Sequence, residues 1–109
     1  MTHRTDLAQP DEALRRARED LPVAAQLLHA VADLISDHQP EQPLTTTALG
    51  LAFSSAGANV LAQYPGAVRD AALLKALAAL VALGDGDVIT QGITGGEYAL
   101  RLRLAARNA

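Results

Sequence analysis

The chain has 109 residues and a mass of 11.4 kDa, which is one domain's worth of sequence. It has no Cys, which excludes disulfides, thiolate zinc sites and cysteine nucleophiles. Half of the residues are hydrophobic and the formal net charge is −3, so it can build a core but is not a highly cationic nucleic-acid coat. One Phe, two Tyr and no Trp leave no aromatic platform for stacking bases.

Residues 1–20 carry nine charges and few apolar side chains beyond Leu7 and Leu14. They read as a charged N-terminal arm outside the core and dispensable for folding, because so little burial cannot offset the cost of ordering a backbone. Leu21 to His38 gives the clearest helix. Val23, Leu27, Val31 and Leu34, with Ala24, Leu28 and Ile35, form its apolar face, and Gln26, His29, Asp33, Ser36 and Asp37 its polar one. Asp20 and Pro22 fit an N-cap and a first-turn proline. Pro40 and Pro43 stop this helix.

Leu44 to Ser55 reads as a short helix capped by a threonine near position 45, with Leu49 and Phe53 inward. Ser54 to Ala58, with Gly57, reads as a turn, and Asn59 to Gln63 as a single helical turn. Tyr64-Pro65-Gly66 is a break. Val68 to Leu83 is again helical. Its expected buried stripe is Leu73, Leu74, Leu77, Leu80 and Val81, with Ala72, Lys75, Ala76, Ala79 and Ala82 opposite and Gly84 at C′. The period then changes. Val88 to Ile93 is rich in β-branched residues, Thr94-Gly95-Gly96 suits a tight turn, and Tyr98, Leu100, Leu102 and Leu104 alternate with Ala99, Arg101 and Arg103. This spacing predicts a β-hairpin over 87–104.

Long helix, short helix, turn, helix and closing hairpin is a winged-helix arrangement. The expected fold is therefore α+β: a small winged-helix-like domain over 21–105, three to four helices followed by a C-terminal β-hairpin wing, with a tail at 106–109. A helix bundle with a peripheral hairpin is the alternative. Pro43-Leu44, Leu49-Gly50, Tyr64-Pro65-Gly66, the Leu73–Leu83 helix and the Tyr98–Leu104 strand together resemble the LOTUS (OST-HTH) family of winged helices over about residues 23–104. That resemblance implies RNA binding or docking to a protein partner. The chain departs from the family pattern in having Tyr64-Pro65 where tyrosine is followed directly by glycine. It also has no Lys or Arg between Arg18 and Arg69, which removes phosphate contacts from the first two helices.

No enzyme is expected. His29, Asp33, Asp37 and His38 lie along one polar helix face but lack a third element to complete a metal site. Asp85-Gly86-Asp87 lacks the further ligands of a calcium loop. No phosphate-binding glycine motif or activated serine is present, so no cofactor is expected. The charges are asymmetric: residues 21–60 hold three acids and no base, and residues 61–109 hold five bases and four acids. Arg69, Lys75, Arg101, Arg103 and Arg107 are the candidate phosphate contacts, with RNA or single strands ahead of specific duplex DNA.

The alternative is a protein-interaction or dimerisation module, using the alanine face of the 68–83 helix or the acidic face of the first, with a homodimer among the arrangements. No apolar run reaches the length of a membrane span and no signal peptide is legible, so the expected setting is cytoplasmic, away from membranes. The dominance of Ala and Leu, with eight Arg to one Lys, reads as the codon bias of a GC-rich bacterial genome.

Overall fold

The structure, a computed structural model, describes residues 21–108, so the N-terminal arm lies outside the described residues. Among these the chain forms five helices: α1 (Val23–His38), α2 (Thr46–Leu61), α3 (Gly66–Ala82), α4 (Asp85–Thr90) and α5 (Gly95–Ala106). α1 is the central element, and α5, α2 and α3 all pack against it. Its seam buries Leu27, Leu28, Val31 and Ile35 of the expected apolar face, with Ala32 beside them, while Val23 and Leu34 are only partly buried. The helix begins at Val23 with Pro22 itself at the N-cap, rather than inside the first turn as expected.

The largest correction concerns the C-terminus. No strand forms among the described residues, where β structure is confined to an isolated bridge between Pro43 and Thr94. The α+β class and the winged-helix hairpin at 87–104 are therefore overturned: 85–90 and 95–106 are helical. Leu100-Arg101-Leu102-Arg103-Leu104 alternates as a strand would, but Tyr98, Leu102 and Ala106 also recur every four residues. The helical set is the one buried, together with Ala99, while Leu100 and Leu104 point to solvent. Thr94 decides the matter locally. Its hydroxyl accepts from Glu97 N–H at 3.2 Å, and the Glu97 carboxylate accepts in return from Thr94 N–H at 3.4 Å, a reciprocal capping box that starts a helix.

The Gly95-Gly96 pair also serves a different purpose from the expected turn. The left-handed glycines are Gly84 and Gly92, the former at φ 66° just past the end of α3 as expected. Gly95 and Gly96 are helical and allow close approach. A Cβ on Gly95 would overlap the carbonyl of Gln39, and one on Gly96 would lie 2.8 Å from Pro40 O. Without side chains, the first N–H groups of α5 reach the α1–α2 loop: Gly95 N–H donates to Gln42 O at 3.0 Å and Gly96 N–H to Pro40 O at 2.9 Å. Free donors at a helix start are thereby satisfied by backbone of another segment.

Two further expectations change. The turn at 54–58 is absent, because α2 runs through it from a Thr45 cap whose Oγ1 accepts from Ala48 N–H at 3.0 Å. Leu49, Ala52 and Ala56 make one buried row, and that packing outweighs the roughly 1 kcal/mol cost of Gly57 in a helix. α3 is rotated relative to expectation. Ala72, Ala76 and Leu80 face the core, while Leu74, Leu77 and Val81 are exposed. α5 runs on to Ala106, which is itself buried.

Candidate functional site: the outer face of α3 and its groove with α5

α3 starts at a fixed place. Pro65 precedes it, and Tyr64 is pinned to the head of α1, its hydroxyl donating to Gln26 Oε1 at 3.1 Å while Gln26 Nε2 donates to Leu21 O at 2.9 Å. From there the helix turns a mostly alanine side to α1, and alanine permits close backbone approach. The bulkier side chains are left on the outer surface: Leu74 is 69% exposed, Leu77 43% and Val81 75%. Ala67, Ala71 and Ala78 are exposed on the same side.

α3 and α5 flank an open groove of about 560 Å³. Ala78, Ala79, Ala82, Leu83, Leu104 and Ala105 give it apolar walls, and Lys75 and Arg101 stand at it from opposite helices. Leu104 is 55% exposed, so apolar surface continues from the groove onto α5. A smaller recess of about 240 Å³ lies between α1 and α2, lined by Leu34, Ile35, Leu44 and the exposed Leu51.

The five cations singled out in the sequence do not form one patch. Lys75 and Arg101 are brought together at the groove. Arg69 belongs to a separate recess beside Gly57, Leu61 and Asp70. Arg107 is exposed at the C-cap of α5. Arg103 is engaged in the fold, its Nη2 donating to Asp33 Oδ1 at 3.0 Å and to Ser36 Oγ at 3.3 Å, which ties α5 to the polar side of α1. The wing that was to present Arg101 and Arg103 on one strand face does not exist, and the helix sends the two side chains to different places. Asp33, considered as a potential ligand beside His29, is instead the partner of Arg103. No group of three or more potential metal ligands occurs among the described residues. His38 Nδ1 lies 2.9 Å from Leu34 O, a local helix contact.

What sequence reasoning missed is the outer face of α3. Its signal was present: between Ala71 and Ala82 every residue except Lys75 is apolar, so whichever face turned inward, another apolar face had to remain outside. No described helix is long and apolar enough to cross a membrane. No protein-family model, curated protein or solved structure matches this chain.

Proposed function

We propose that this chain is a protein-docking module whose contact surface is the outer face of α3, extended into the groove with α5. The observation that carries this reading is that α3 is apolar on both sides. A helix of that kind is ordinarily covered all round, and contiguous exposed apolar surface rimmed by polar groups marks interaction sites. Leu74, Leu77 and Val81 supply anchors. Ala71 and Ala78 let a partner's backbone come close. Lys75 and Arg101 favour acidic flanks on an incoming apolar helix.

The test is fluorescence anisotropy with a short labelled helical peptide bearing a leucine stripe flanked by glutamates. Saturable binding that is lost in Leu74→Glu and weakened in Arg101→Glu is expected. Absence of binding, or binding indifferent to Leu74→Glu, would overturn the reading.

A second reading, nucleic-acid binding, has one specific observation in its favour: Lys75 and Arg101 converge on one groove. Two phosphate contacts would give a salt slope of about −1.4 on single strands to −1.8 on duplex DNA. The chain's net charge of −3 and the engagement of Arg103 with Asp33 oppose it. A gel shift with random RNA and duplex DNA at low salt separates the two readings. Retarded bands at micromolar protein that disappear in the Lys75→Glu, Arg101→Glu double variant would favour nucleic acid.

A further inference from the structure

We infer that the partner of α3 is a second copy of this chain, docked with the two α3 helices side by side and parallel; this deepens the docking reading and rests on it. Ala67, Ala71, Leu74, Ala78 and Val81 follow one another at spacings of four, three, four and three, all on the exposed side of α3. That is the seam of a helix pair, with Ala67, Leu74 and Val81 at d and Ala71 and Ala78 at a. The residues bordering the seam then have fixed places. Asp70 and Leu77 stand at g on one side, and Lys75 and Ala82 at e on the other.

The border residues match across a parallel two-fold axis. In such a pair each g position faces the e position five residues further along the other helix. Asp70 meets Lys75 of the second copy, and Leu77 meets Ala82 of the second copy, so charge meets opposite charge and apolar meets apolar. By symmetry each rung occurs twice. Within one helix Asp70 and Lys75 cannot serve each other, because five residues place them roughly 140° apart around the axis. Both are exposed. An antiparallel pair sets g against g and e against e, which joins no opposite charges and opposes Asp70 to a second Asp70 or to Leu77. Charge complementarity therefore selects both the occupant and its direction.

The seam from Ala67 to Val81 is about 21 Å long at the helical rise. A single helix pair of that length buries less than the roughly 1,200–2,000 Å² of a stable complex. The dimer is accordingly reversible and populated at high protein concentration. Three alanines on the seam allow the backbones to approach closely, and Leu74 and Val81 supply the larger side chains.

Sedimentation equilibrium of the full chain across a wide concentration range tests this, with circular dichroism to confirm that each variant is folded. Asp70→Lys alone should weaken dimerisation about tenfold, since two attractive rungs become repulsive. Adding Lys75→Asp should restore it, because the swap preserves both rungs. The chain has no cysteine, so Ala78→Cys introduces a single thiol at a seam position that faces its own copy only in the parallel pair. Mild oxidation should link it to itself, and should not link Ala71→Cys to Val81→Cys in a mixture. A chain that stays monomeric at the highest concentration, or that cross-links in the antiparallel combination, overturns the second-copy inference. If that monomeric chain still binds the leucine-stripe peptide through Leu74, the docking reading stands alone; if it binds neither, both fall.

Discussion

α1 and α3 are nearly equal in length, 16 and 17 residues, and both are rich in Ala and Leu, yet they are used in opposite ways. α1 has a polar side, and that side decides its orientation: Leu27, Leu28 and Val31 go inward and Asp33, Ser36 and Asp37 outward. α3 has hardly a polar side. Its choice of face is made by packing, and packing selects the small residues Ala72 and Ala76 rather than Leu74 and Leu77. The difference teaches that an amphipathic pattern locates a core, whereas an excess of apolar residues locates both a core and a leftover surface. That surface is where the proposed docking takes place.

The same contrast is present within α5 and gives the largest expected effect. Leu102 is fully buried, while Leu104, two residues later, is 55% exposed. Leu102→Ala should destabilise the protein by about 2–5 kcal/mol, through lost burial and the cavity left behind. Leu104→Ala should stay within about 0.5 kcal/mol, as surface changes do. Urea denaturation measures both. Equal losses would break the comparison.

Next in size is Gly95→Ala. The added methyl has no room against the Gln39 carbonyl, so the α1–α2 loop or the start of α5 must shift. Overpacking of this kind costs about 1–3 kcal/mol. Gly50→Ala on α2, where a Cβ would meet nothing within 4 Å, is the control and should be neutral to stabilising. A smaller loss, about 1 kcal/mol, is expected for Thr94→Ala, which removes the N-cap acceptor of α5. Thermal melts should place Gly95→Ala lowest, Thr94→Ala next and Gly50→Ala at or above the unmodified chain. Their ranking sharpens the contrast, because the Gly95–Gly96 contacts hold the start of α5 at the α1–α2 loop, whereas Leu74, Leu77 and Val81 on the outer face of α3 are exposed.

How much of this was legible follows from the same physics. The face of α1, the Thr45 cap, the break at Pro65-Gly66 and Gly84 beyond α3 are local features, and local sequence specifies them. The C-terminal helix was misread because Leu100 to Leu104 fits a period of two as well as it fits a helix. Thr94 and Glu97, three residues apart, carry the arbitrating signal, the spacing of a capping box. The inverted face of α3 was not legible, since Arg69, Asp70 and Lys75 are its charged residues and the run from Ala71 to Ala82 is otherwise apolar. At the site, Lys75 and Arg101 could be expected at the surface, but the convergence of these two residues, 26 apart in sequence, on one groove depends on how α3 and α5 pack on α1. Arg103 pairs with Asp33, 70 residues away, a contact that no local pattern specifies.

That Arg103–Asp33 pair gives the smallest effect and the closest test of how α5 is held. Both side chains are about one-third exposed, 34% and 36%, and a single guanidinium nitrogen serves both Asp33 and Ser36. An ion pair this open to water is screened, and its coupling in a double-mutant cycle should be about 0.2–1 kcal/mol. The cycle uses Asp33→Ala, Arg103→Ala and the double variant, with stability read from urea denaturation. Raising the salt to 1 M, where the screening length falls to about 3 Å, should remove most of the coupling. Ser36 retains one acceptor for Arg103 when Asp33 is removed, so Asp33→Ala should cost less than Arg103→Ala. Zero coupling at low salt would mean that apolar packing and the Gly95–Gly96 contacts alone set the position of α5. Arg103 would then be available to an anionic ligand after all, which would reopen the nucleic-acid reading at the α1 side of α5.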